Sequence, residues 1–216
     1  MVNSPATLNE LFRVERRQAG RVGEMMARAF DGDELYAALF PAAKVRQAVL
    51  PPLMAFRVRY GTLYGEVYAT SPALEGVAVW IRGDKSFMTP WRSFRAGGLS
   101  LYAKIGGAAW RIQAVERYVM ALHRQYAPIP YWHLSPVAVD PAHQRKGLAR
   151  RLLKAMFARL DAESVPCFLE TQSPANVVLY ERYGFAVVAE GTIPETDVRH
   201  WAMLRAPRPW RATRLE

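Results

Sequence analysis

Cysteine is nearly absent from this chain of 216 residues: Cys167 stands alone. That excludes an internal disulfide and every multi-cysteine metal motif. Cys167 lies in an apolar run, where a thiol packs as a small hydrophobe. The four histidines lack any close metal-ligand spacing, so no metal is expected. No apolar stretch approaches the roughly 20 residues of a membrane helix, and the start carries no basic-then-apolar leader. A cytoplasmic, reducing setting without membrane contact is the expectation. Neither G-x-x-x-x-G-K-[ST] nor G-x-G-x-x-G occurs, which removes the P-loop and the dinucleotide fingerprint. There are no internal repeats and no low-complexity tract. Acidic residues are the scarcer sign, 19 against 29 basic, leaving a net charge of +10. Nucleic acid and a polyanionic small molecule both suit such a balance. Arginines are spread along the chain and cluster in the tail RAPRPWRATRLE, so charge alone does not choose between them.

Apolar residues make up 51% of the chain, ample for one core. The organisation expected is a flexible N-terminus over 1–11, a single domain over 12–206, and a basic tail over 207–216. Residues 12–14 suit a short strand. Residues 17–30 carry Val22, Met25, Met26, Ala29 and Phe30 at helical spacing. Asp31-Gly32-Asp33 breaks that helix. A second helix opens at Pro41 with Val45, Val49, Leu53 and Phe56 as its stripe, and Pro51-Pro52 should kink or split it. Residues 63–69 and 73–81 are β-branched and aromatic, hence strands. Residues 83–107 suggest short helical pieces or loop, and 108–126 a better helix bearing Ile112, Val115, Val119 and Leu122.

The most informative stretch is 131–160, YWHLSPVAVDPAHQRKGLARRLLKAMFARL. His133, Ser135, Val137 and Val139 alternate on one face of a strand over 132–139. Asp140-Pro141 ends it, because the residue before a proline avoids helical geometry. The period then changes: Leu148, Leu152, Met156 and Leu160 recur every four residues, with cationic side chains outside the stripe. A helix start presents unpaired N–H groups and a positive dipole end, which suits an anion. Gly147 permits close approach there, although a lone glycine at a helix start reads equally well as a packing residue. Downstream, 166–171 is a strand, 175–183 a helix closed by Gly184, and 185–190 and 198–205 the last strands. The sum is α/β: a mixed, twisted sheet of six or seven strands with helices on both faces and extra helices in the N-terminal half.

V-A-V-D-P-A-H-Q-R-K-G-L-A-R-R-L-L resembles the acyl-CoA signature of the GCN5-related N-acetyltransferases. Asn176, Tyr180, Gly184 and Phe185 resemble that family's second signature, N-x-x-x-Y-x-x-x-G-F. Within the family the likeness is closest to the puromycin N-acetyltransferase-like branch, through Phe168-Leu169-Glu170-Thr171, Tyr180-Glu181-Arg182 and Trp201-Ala202-Met203-Leu204-Arg205. It covers residues 130–205 well and the helical first half loosely. The resemblance implies acetyl-CoA as co-substrate. Backbone groups of Val137 and Val139, with Ala138 between them, would pair with the pantetheine arm. The N–H groups of Arg145, Lys146, Gly147, Leu148, Ala149 and Arg150 would hold the pyrophosphate. Asn176 would contact the arm and Tyr180 would sit near the sulfur. Ala149 stands where many members have glycine.

The chemistry gives these roles sense. An alkyl amine of pKa about 10.4 is about 99.9% protonated at pH 7, so freeing its lone pair costs roughly 4–5 kcal/mol. Glu170 is the candidate base, with an ordinary carboxylate–arginine pair as the alternative reading of it. Tyr180 is the candidate acid for the departing thiolate, with an ordinary core or interface tyrosine as the alternative reading of it. Tyr36 is placed at the border of an amine pocket, Asp33 and Glu34 beside it reading either as part of that border or, by preference, as a solvated loop, whereas His133 and His200 read as structural. The expected function is acetyl-CoA-dependent N-acetyl transfer to a small primary amine, directly within a ternary complex, by a monomer or homodimer that binds no specific nucleic acid. The alternatives are a nucleic-acid-binding module and a non-catalytic acyl-CoA sensor.

Overall fold

The computed structural model describes residues 7–208. Leu8–Glu10 form a 3-10 turn and Leu11 is buried, so this part of the stretch expected to be loose is ordered. Residues 1–6 and most of the basic tail lie outside the described residues.

The elements follow in chain order: β1 (Phe12–Arg13), α1 (Ala19–Ala29), α2 (Glu34–Leu39), α3 (Ala43–Tyr64), β2 (Gly65–Ala69), β3 (Gly76–Arg82), α4 (Gly83–Ser86), α5 (Pro90–Arg95), α6 (Gly98–Ile105), α7 (Ala109–Tyr126), β4 (Trp132–Val139), α8 (Leu148–Ala162), β5 (Cys167–Thr171), α9 (Pro174–Glu181), β6 (Phe185–Thr192) and β7 (Arg199–Arg205). The strands form one sheet in the order β1-β2-β3-β4-β5-β7-β6. The β4–β5 pair is parallel and the other neighbours are antiparallel.

Alternation along β3 explains why helices cover both faces. Val77, Val79 and Ile81 face a core built with Val22, Met26, Leu53 and Met54 of α1 and α3. Ala78 and Trp80 face the other core with Leu152, Met156 and Leu160 of α8. Trp80 meets Phe157 edge to face.

Three expectations are corrected. Helix α3 runs without interruption through Pro51 and Pro52. Close packing by α1 accompanies that continuity: a Cβ on Gly23 would lie 2.6 Å from the Ala55 backbone nitrogen, so only glycine lets the helices approach this far. Val45, assigned to the apolar stripe, is 46% exposed. The strand expected from residue 63 starts at Gly65, because α3 extends to Tyr64.

Candidate active site

Strand β4 has the bounds its sequence suggests, but its alternation fails midway. Ala78 pairs with Val137 and Trp80 with Leu134, so Ser135 and Pro136 together oppose one residue of β3. This bulge bends the strand. On its other side β4 pairs with β5 only at Trp132 and His133, opposite Cys167 and Phe168. Beyond that point the two parallel strands diverge, and the far edge of Val137, Ala138 and Val139 is free of β5.

The divergence opens onto a cavity of about 190 Å³ whose wall includes His133, Ser135, Glu170, Asn176, Tyr180 and Tyr36. Residues 176 and 180 are one helical turn apart on α9 and share a face. Asn176 Nδ2 donates to Thr171 Oγ1 at 3.3 Å, fixing it beside β5. Tyr180 is buried, and its hydroxyl makes no hydrogen bond among the described residues; burial raises its pKa above the ordinary phenol value. Tyr36 enters from the first turn of α2, whose start Asp33 caps by accepting from the Leu35 and Tyr36 N–H groups. Burial raises the pKa values of both Asp33 and Tyr36. Glu34 is exposed and outside the wall.

The floor contains a polar network that the sequence does not announce. Glu170 takes one imidazole on each carboxylate oxygen: Nε2 of His123 on Oε1, and Nε2 of His133 on Oε2 at 2.8 Å. Nδ1 of His123 meets the Tyr131 hydroxyl at 2.7 Å. Burial alone would raise the Glu170 pKa, but the His133 and His123 imidazoles outweigh it and hold the carboxyl well below its ordinary range. An ionised carboxylate only accepts, so both Nε2 atoms carry hydrogens. Burial lowers the His133 pKa, which keeps that ring neutral and leaves the lone pair on Nδ1. That atom makes no hydrogen bond among the described residues.

The alternative that Glu170 pairs with an arginine is corrected, since its partners are the two histidines. His133, read as structural, lies in the cavity wall, and His123 escaped notice altogether. One signal was available: His123 stands four residues after Val119, on the apolar stripe of α7. The donor atoms of His123, His133 and Glu170 lie within 4.8 Å of one another, close enough to hold a divalent cation. Mutual hydrogen bonds already engage all three side chains. His200 also lines the cavity; its Nδ1 lies 3.0 Å from Gln172 Nε2, while its Nε2 is buried without a partner among the described residues.

Beside the divergence, Gly147 caps α8 in the left-handed region with φ of 77°, a conformation that penalises a Cβ. Arg145 shares the positive sign with φ of 62°. The Arg151 N–H bonds back to the Gly147 carbonyl, so those of Leu148, Ala149 and Arg150 precede the helical ladder. The stretch from residue 144 to 147 is exposed. Asp140 bonds the Ala142 N–H and pairs with Arg28 at 2.5 Å, which orders the approach to the turn.

Residues 100–187 match the family model described as the acetyltransferase (GNAT) domain. An uncharacterized N-acetyltransferase of Schizosaccharomyces pombe is 29% identical over 117 residues, covering 51% of this chain and 47% of that protein. The chain thus spans about half the length of this curated relative. A Corynebacterium glutamicum structure described as histone acetyltransferase HPA2 and related acetyltransferase superposes with a TM-score of 0.65 at 20% identity, covering 94% of this chain and 98% of that one. Arylalkylamine N-acetyltransferase 2 from Aedes aegypti gives 0.61 at 13% identity, covering 92% and 98%. These structural likenesses establish the fold. No helix among the described residues is long and apolar enough to cross a membrane.

Proposed function

We propose that this chain, whose residues 100–187 match the acetyltransferase (GNAT) domain model, transfers an acetyl group from acetyl-CoA to a small primary amine by direct attack in a ternary complex. The observation that carries the reading is the opening of the β4–β5 divergence onto the cavity that holds His133, Glu170 and Tyr180. A donor threaded between diverging strands would deliver its thioester into that cavity. The free edge of Val137, Ala138 and Val139 suits an amide-bearing arm, as an added strand would. The exposed turn from Arg145 to Gly147 and the N–H groups of Leu148, Ala149 and Arg150 suit a pyrophosphate. Asn176 would contact the arm. Kinship to the puromycin N-acetyltransferase-like branch belongs to this proposal, and the arylalkylamine enzyme of similar fold is consistent with an amine acceptor.

Acetyl-CoA supplies an activated thioester, and the rest falls to the chain. An ammonium ion must lose its proton before its nitrogen can attack. Glu170 is held too acidic to take that proton well itself. It instead fixes the tautomer of His133, so that Nδ1 receives the proton and the carboxylate stabilises the resulting imidazolium, the same division of labour as in a histidine–aspartate pair. Tyr180, protonated at neutral pH, donates to the departing thiolate. Tyr36 and Asp33 border the acceptor side. The test is thiol release from acetyl-CoA across a library of primary amines. Turnover with at least one amine is expected; acetyl-CoA binding without turnover on any of them would favour the sensor and refute the transferase.

A further inference from the structure

A second cavity, about 790 Å³, adjoins the first. It lies among α3, α6 and α7, with Leu53, Phe56, Leu101, Ile105, Ala109 and Ile112 in its wall. Its volume is about four times that of the catalytic cavity and falls within the range of roughly 300–1,000 Å³ typical of small-molecule sites. Arg57, Met88, Glu116 and Met120 line both spaces, so the two meet at these side chains. Arg57 and Glu116 pair at 2.7 Å at this junction, and Arg57 Nε is buried without a partner among the described residues. Beyond the junction the apolar side chains of Phe94 and Leu99, which line this space, are 57% and 70% exposed. Arg117 and Arg124 also line this space, and they disfavour a second cation there.

We infer that this channel receives the apolar body of the acceptor, so that the substrate is an elongated amphiphilic monoamine: ammonium head in the catalytic cavity, hydrocarbon body past the Arg57–Glu116 pair. The inference rests on the acetyl-transfer reading and specifies its substrate class. The rival occupant is a long acyl chain of the donor. The smaller cavity must hold the reacting acyl group and the amine head together, and at about 190 Å³ it leaves little passage for an acyl chain running alongside the amine. A diamine or guanidino-amine would place its second charge between apolar walls and two arginines.

The experiment measures acetylation of straight-chain primary amines from ethylamine to decylamine by thiol release, in wild type and in two variants. Ala109→Trp fills the channel and Ile112→Glu makes its wall polar; both positions are half-buried. Each buried methylene should raise kcat/KM about fourfold until the channel is full. Both variants should cost decylamine about 60-fold, the worth of three methylenes, and leave ethylamine within about twofold. Decylamine alone should also raise the melting temperature of wild type and not of Ala109→Trp. Acetylation of short amines with no gain on lengthening overturns this inference and leaves the transferase intact. So does a gain that follows the acyl chain of the donor instead of the amine. Failure with every amine, despite acetyl-CoA binding, overturns the transferase reading and this one with it.

Discussion

Glu170→Gln tests the proton path at its most exposed logical point. The carboxylate accepts Nε2–H from His123 and from His133. An amide has one acceptor oxygen and one donor nitrogen, so it can satisfy one imidazole as before and must donate to the other. If His133 is the ring that switches, its Nε2 becomes the acceptor and its hydrogen moves to Nδ1, the atom assigned to receive the substrate proton. Because the amide keeps both hydrogen bonds in altered form, the stability cost should be about 1–3 kcal/mol, short of the roughly 3–5 kcal/mol for a buried pair broken outright. The rate cost is larger: kcat should fall about 10²–10⁴-fold, the span of general-base loss and of wrong-tautomer variants in histidine–aspartate pairs. KM for the amine should change little, since Glu170 is occupied by the histidines. The assay is kcat against pH, with nitrogen chemical shifts of the His133 ring to read the tautomer. A folded variant with an altered tautomer and undiminished kcat would refute the assignment of Nδ1.

Tyr180→Phe should lower kcat about 10²–10⁴-fold with the Kd for acetyl-CoA hardly moved; weak binding with kcat intact would mean that the hydroxyl only binds. Gly147→Val, placing a β-branched residue at φ of 77°, should abolish the rise in melting temperature caused by acetyl-CoA, which mass action sets at about 2.7 kcal/mol at a hundred times Kd; an undiminished shift in a folded variant would remove the turn from the site. Burial lowers the pKa values of His133 and His200 from their ordinary 6.5, so their neutral forms contribute stability fully above that pH and lose it as pH falls through the folded values, with Glu170 adding the same trend below its ordinary 4.5. Melting temperature should therefore decline between pH 7 and 5, and a flat profile there would contradict the buried neutral rings. Prolonged dialysis against EDTA should leave activity unchanged; loss restored by zinc would turn the His123–His133–Glu170 group into a metal site.

The bounds of the unit from Trp132 to Ala162 were legible because its local signals, the bulge within β4 aside, agree. Alternation gives way to a four-residue repeat, Pro141 ends the strand, and Gly147 stands where the chain needs a positive φ before the helix. The same locality served α7, α9 and the last two strands. It failed at Pro51-Pro52, where α3 continues through both prolines despite the rule against helix interiors and packs closely on Gly23, a contact between residues about thirty positions apart. It failed again at the bulge, since nothing in Ser135-Pro136 states that β3 will supply only one residue opposite the two.

The proton network shows most clearly where sequence spacing stops being informative. His123 and His133 are separated from Glu170 by 47 and 37 residues, so no motif window contains them. Three separate structural facts bring them together: the end of α7 lies over the sheet, β4 and β5 run parallel at His133, and Glu170 follows two residues after its register partner Phe168. Parallel pairing is the decisive one, because the return crossover of α8 sets strand neighbours without any local turn to mark the register. A histidine in an apolar stripe therefore carries little meaning until its partner is known. With a carboxylate on Nε2 the same ring acquires a fixed tautomer and a directed lone pair. With its side chain only 10% exposed, Glu170 would be a poorly supported charge without the two imidazoles, so the chemistry that the site can perform and the stability of its floor depend on the same pair of hydrogen bonds.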